Sequence, residues 1–201
     1  MADTKTICEQ LIASDINTSC DAQSNRGLES DGVIVNYNDI DFAKSKVSAS
    51  NKNIITDLVL KAGKKGYSIR QLGSTPFNGT KKDFKSGTYV NTWDKTISLV
   101  VLDEGADVTR DIIDPLSNGT FVAVLKNKTK GADGSAEYEI FGYDQGLKMT
   151  EGSNDKWSED TIGGYAVTLV ESSAPNSGRF LFDTDRETTE AKFESLKTAT
   201  A

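Results

Sequence analysis

Histidine is absent from all 201 residues. Its absence excludes Ser-His-Asp and Cys-His activation of a nucleophile, imidazole metal sites and the commonest general base. Only carboxylate or lysine mechanisms remain open to an enzyme. Cysteine is nearly absent too: Cys8 and Cys20 match no zinc or redox spacing and fall far short of a disulfide framework. They are expected to be reduced thiols packed as small hydrophobes. No apolar run approaches the roughly 18 to 20 residues that span a bilayer. The opening "MADTKTICEQ" has neither the basic nor the apolar region of a signal peptide, so a cytoplasmic start is expected. On that expectation the Asn-x-Ser/Thr matches at Asn17, Asn78, Asn118 and Asn127 are chance, since glycosylation needs a secretory route.

What is present is polar and segmented in charge. At 201 residues the chain suits one large domain, or one domain with an arm, and its 36% hydrophobic and 26% charged residues are polar for a globular chain without the profile of a disordered one. The formal net charge is −7, yet residues 44–85 carry ten Lys and Arg against only Asp57 and Asp83. The flanking segments, residues 1–43 and 86–125, are both acidic. A nucleic-acid site is one reading of the basic segment, but Tyr67, Phe77 and Phe84 are too sparse for a stacking platform. Self-association of unlike patches is a second reading, and a solvated surface the third.

Local patterns predict a mainly β chain. A short N-terminal helix (Ile7, Leu11 and Ile12) leads into a Ser/Asp/Asn-rich arm over residues 15–32. Strands are predicted at 33–37 and, as a hairpin around "AGKKG", within 53–72. Residues 74–87 read as a long loop, since Pro76, Asn-Gly and Ser-Gly are turn signals. From 89 to 101, one face of a long strand carries Tyr89, Trp93, Ile97, Leu99 and Val101, and the other is mostly polar. "DEGADVTRDIIDPL" predicts an acidic helix that Pro115 should end. Further strands are predicted at 120–128, 136–143, 163–171 and 179–182, with "GLKMTE" extending the meander. A C-terminal helix follows, with Thr184 and Glu187 as its capping box.

No constellation carries chemistry. Asp103, Glu104, Asp107, Asp111 and Asp114 lack the spacing of a calcium loop, and the last three share one helix face, which predicts a solvated surface. Trp93 and Trp157 with nearby tyrosines offer a sugar platform; a half-buried aromatic strand face is the commoner outcome. "KAGKKGYS" lacks the order of a phosphate-binding loop.

The stretches "GTYVNTWDKTISLVVLDE", "NGTFVAVLKNKTKG", "AEYEIFGYDQGLKM", "GGYAVTLVESSAPNSGRFLF" and "TTEAKFESL" resemble phage tail-tube and related virion proteins. The resemblance is to those of tailed phages infecting Bacteroidota in particular, and it spans roughly residues 50 to 197. It implies a small β-sandwich or barrel flanked by a helix; the N-terminal helix and arm read from the residues over 1–32 would then precede one assembly domain over 33–201. Copies would close into a homo-oligomeric ring, a hexamer among the options, and rings would stack into a tube. The tube would pass DNA without binding it specifically, meeting neighbouring virion proteins and no membrane. Such a chain has no active site and no cofactor, and is made in the host cytoplasm for the virion. Candidate subunit contacts are Lys64, Lys65, Lys81, Lys82 and Lys85, set against Asp107, Asp111 and Asp114. The alternatives are a head-decoration or head-to-tail connector protein, a monomeric carbohydrate-binding module, and last a carboxylate hydrolase.

Overall fold

A computed structural model describes residues 12, 14–16, 25–131 and 133–199. The expected N-terminal helix, both cysteines and most of the arm fall outside the described residues. The chain is mainly β, with eleven strands described in two sheets. Strands β1 (Leu28–Asn36), β2 (Lys46–Val47), β3 (Ile54–Asp57) and β4 (Tyr67–Arg70) join β7 (Phe121–Asn127), β8 (Tyr138–Phe141) and β11 (Arg179–Leu181). Together they make a seven-stranded sheet in the order β2-β3-β11-β8-β7-β1-β4. The second sheet has four strands: β5 (Lys81–Lys85), β6 (Thr92–Val101), β10 (Tyr165–Ala174) and β9 (Lys148–Asn154), in that order.

Strand β7 explains why the large sheet lies in the middle. Its first five residues are all buried, so both faces need cover. Val122 and Val124 turn to one side, into a cluster with Val33, Ile140, Phe193 and Leu196. The last two belong to helix α3 (Arg186–Ser195) and the turn that ends it. Phe121, Ala123 and Leu125 turn to the other side, where Ile97 and Leu99 of β6 and Val167 and Leu169 of β10 meet them. Helix, large sheet and small sheet therefore stack in that order, with one apolar cluster in each gap.

Several local expectations change. The predicted hairpin over 53–72 does not form: β3 lies parallel to β11, and β4 lies antiparallel on β1. "AGKKG" supplies a turn, but a turn signal does not say where the next strand will pair. Gly66 brings the chain against the end of α3, donating to the Leu196 carbonyl at 2.6 Å, where any Cβ would meet Val33 at 2.5 Å. The predicted loop at 74–87 contains β5, an edge strand whose lysines hid its alternation. Strand β1 starts at Leu28, ahead of the predicted 33.

Pro115 does not end the acidic helix. The helix runs as α1 (Ala106–Val108), a π turn (Thr109–Ile113) and α2 (Asp114–Asn118). The Asp114 N–H bonds the Thr109 carbonyl five residues back. That wider turn admits a residue without an N–H, and the helix stops at Gly119 instead. In α3 the cap is Asp185, whose carboxylate accepts from the Thr188 N–H at 2.8 Å, rather than Thr184.

Leu169 is fully buried between the sheets. Leu169→Ala should lower unfolding free energy by about 2–5 kcal/mol, read as a lower urea midpoint at unchanged slope.

Candidate functional site

The sequence-predicted residues divide into three groups that do not meet. Lys81, Lys82 and Lys85 lie on β5, an edge of the small sheet. Lys64 and Lys65 sit in the turn before β4, at an edge of the large sheet, with Lys64 3.3 Å from Asp39 and Lys65 beside the Tyr67 ring. Asp107, Asp111 and Asp114 are exposed on the helical segment, where Arg110 pairs with the first two. Among the described residues no ion pair links the basic positions to this helix. No group of three or more acidic, Cys or His residues among them has the geometry to hold a metal ion. The acidic helix and basic segment are therefore not each other's partners within one chain.

Register assigns each β5 side chain a face. Lys82 and Phe84 stand opposite Lys95 and Trp93, on the core side. Lys82 pairs there with Glu139, and Phe84 packs edge-on against Trp93 at 5.5 Å. Lys81, Asp83 and Lys85 point away from the core with Asp94. That open face continues across Thr92, Thr96, Ser98, Val100, Ala166, Thr168 and Val170 to Lys148, Glu151 and Ser153 of β9. Its lysines are matched in number by its acids, and two are paired directly: Lys81 to Asp83 at 2.9 Å and Lys85 to Asp94 at 3.8 Å. It is a small-residue, hydroxyl-rich face with no net charge.

The two edges of this sheet, β5 and β9, have no strand partner on their outer sides, although the helix α2 packs against β9. The part of β6 that β5 leaves uncovered is closed by a side chain: the Gln71 amide accepts from the Val100 N–H at 2.8 Å and donates to its carbonyl at 2.9 Å. Trp93 and Trp157 sit near opposite ends of the sheet, Trp93 beside the start of β6 and Trp157 beyond the end of β9. They form no common sugar platform.

Sequence reasoning missed a buried charge network at the Trp93 end. Lys95 and Glu171, at 1% and 0% side-chain exposure, pair at 3.1 Å across β6 and β10. The Glu171 carboxylate also accepts the backbone N–H groups of Gly142, Asp144 and Gln145, at 2.9–3.0 Å. These belong to the turn between β8 and β9, so one carboxylate ties the small sheet to the large one. Gly142 is needed in that turn: its φ is +85°, and a Cβ would meet the Phe121 carbonyl at 2.5 Å. Asp144 then accepts a fork from Arg179 of β11, its closest contact 2.6 Å, and the Asn176 amide at 2.9 Å. Burial opposes ionisation of Asp144, but Arg179 and Asn176 more than reverse this and hold its carboxyl below the ordinary range. The Tyr37 hydroxyl is pushed up, by burial and then by the Asp144 and Glu171 carboxylates.

A second buried carboxylate, Glu137, receives Arg186 at 2.6 Å and fixes the start of α3 to the large sheet. Burial is again overcome, by Arg186 and Lys126, and its carboxyl is held low. The pairing of strands 76 residues apart sets Lys95 against Glu171, so no sequence window contained the signal. The alternation of 89–101 did place Lys95 on the apolar face, which was the one clue available.

One cleft of about 400 Å³ opens beside β5, between the 74–80 loop, Arg26, Lys128 and the Lys82–Glu139 pair. Its charged walls are already paired in part, and no nucleophile–base pair lines it. Comparison with protein families, with curated proteins and with solved structures finds no match.

Removing one partner of a buried pair strands the other, at a cost of about 3–5 kcal/mol. Glu171→Ala leaves three N–H groups without their acceptor and Lys95 with only Asp144 at 3.8 Å and the Asn176 amide oxygen at 3.4 Å, whereas Lys95→Met leaves the carboxylate its three donors. Glu171→Ala should therefore destabilise more than Lys95→Met in urea unfolding; the reverse order would contradict the network.

The pH response has a defined sign. Asp144 and Glu137 have folded pKa values below the ordinary 3.8 and 4.5. Their contribution is present above those ordinary values and is lost as pH falls through the lowered ones. Thermal stability should fall on acidification below about pH 4, and Asp144→Asn should flatten part of that fall.

Proposed function

We propose that this chain is a non-enzymatic virion assembly protein, a tail-tube subunit whose copies close into a ring and stack into a conduit for DNA. The observation that carries the reading is the form of the four-stranded sheet. Its neighbours are antiparallel throughout, and its strand number is even. Rotation alone therefore places β9 of one copy antiparallel to β5 of the next, and the joint repeats until the ring closes.

The stagger of the two edges suits closure. β5 lies opposite residues 92–96 of β6, whereas β9 reaches, through β10, the level of residues 96–101. Pairing the edges along their lengths shifts each copy by about four to five residues, or about 15 Å, along the strands. Four strand spacings make about 19 Å, so the strands would tilt by about 38°, within the 35–45° typical of closed barrels.

Four copies would already bring the strand count to the size at which barrels leave an aqueous channel. The open face of the sheet suits a bore that must release its cargo. Each unpaired Lys or Arg facing DNA adds an electrostatic contact to phosphate. Here the lysines of β5 are met by Asp83 and Asp94, and the rest of the face is mostly Thr, Ser, Ala and Val. Lys81 and Lys85 would lie beside the subunit joint, neutralised by these acids. The seven-stranded sheet and α3 would form the outer wall.

Negative-stain microscopy tests the reading: rings or tubes with a central hole are expected, and a dispersed monomer at high concentration would sink it. Proline scanning tests the joint. Of the adjacent β9 positions Gly152 and Ser153, one turns its N–H toward β10 and the other outward. Of Gly152→Pro and Ser153→Pro, the variant that keeps its thermal stability should fail to form rings. Rings from that folded variant would refute pairing at β9.

A further inference from the structure

The two ends of the four-stranded sheet carry unlike tips. At one end, the loop between β9 and β10 holds Trp157 at 93% exposure and Ile162 at 79%. Beside it lies the turn after β6, held by Lys156 and Asn154, which both reach Glu104. At the other end, the loop between β5 and β6 projects Tyr89 at 95% exposure and Val90 at 59%.

The first tip carries one of the three non-glycine residues at positive φ among the described residues. Ile162 sits at φ +51°, a region that β-branched residues rarely occupy. Nothing buries its side chain in return. A strained backbone that presents an apolar group to water gains nothing in the isolated chain, and such outliers gather at functional contacts.

Charge separates the ends as well. The first carries Asp103, Glu104, Asp155, Glu159 and Asp160 against Lys156. At the second, the acids are already answered: Asp94 by Lys85 and Asp144 by Arg179, with Lys52 next to Arg179. An acidic end opposite a neutral-to-basic one meets its unlike counterpart and repels its own kind. Both ends point along the strands, across the direction in which β5 and β9 pair. They are therefore free when a ring has closed.

We infer that the Trp157–Ile162 tip of one copy docks on the Tyr89–Val90 tip of a second copy in the next ring, making a head-to-tail contact. The inference rests on the tube reading and goes beyond it by assigning the stacking contact. The occupant is a second copy, because the two tips are apolar, lie on opposite ends and differ in charge. A contact of this kind is heterologous and does not close, so it propagates as a filament.

All four side chains are exposed, so their replacement should leave the fold intact; thermal unfolding of each variant checks this. Trp157→Ser with Ile162→Ser should give single rings without stacks, and Tyr89→Ser with Val90→Ser should do the same. Mixing the two sets of preformed rings leaves one intact pair of faces per couple. Two-ring stacks that grow no further are then expected in electron micrographs. Wild-type-length stacks from either variant, or mixed rings that remain single, would overturn the contact while leaving ring formation standing. A wild-type chain that never forms rings would remove the tube reading and this contact together.

Discussion

A carboxylate with no exposed surface holds this molecule together at its least forgiving point. Glu171 accepts Lys95 from the neighbouring strand and three backbone N–H groups from the turn between β8 and β9. Burying the charge costs several kcal/mol, and only a full set of donors offsets that cost. The set cannot be filled unless both sheets are in place, because the acceptor lies in one and the turn leaves the other. Asp144, in the same turn, then reaches Arg179 on β11. The relative position of the two sheets is thus specified by charge as well as by the apolar cluster between them.

That specification matters for the small sheet in particular. It has only four strands, and one of its faces is open. A two-edged sheet of this kind drifts in register unless something fixes it. The network fixes β6 and β10 at one end, and the Gln71 amide seals β6 toward the other. β5 is thereby held in place on β6, and β9 on β10, where α2 also packs against it. Edges held in register in this way would lose little conformational freedom on pairing with another copy, as the proposed assembly requires.

The charges that dominate the sequence have a quieter part in the fold. The lysines of residues 44–85 divide between two sheets, and several find an acid in the same chain: Asp39, Asp41, Asp83, Asp94 or Glu139. Exposed pairs of this sort add little stability. Their effect is on the surface field, since a strand that reads as strongly basic presents almost no net charge on its open face.

The sequence alone settled the β character, because period-two alternation is written residue by residue in stretches such as 89–101 and 163–171. It also indicated the two later helices, though not their ends: the π turn carries the first past Pro115 to Gly119, and Asp185 rather than Thr184 caps the second. It did not reveal which strands pair. The runs at 54–57 and 67–70 looked like one hairpin and belong to different parts of a sheet, since pairing is decided by cores assembled from distant segments. The strand at 81–85 stayed hidden because edge strands are kept charged. The Lys95–Glu171 pair was illegible for the same reason as the pairings. A buried ion pair exists only where two strands, 76 residues apart in the chain, have already been brought side by side.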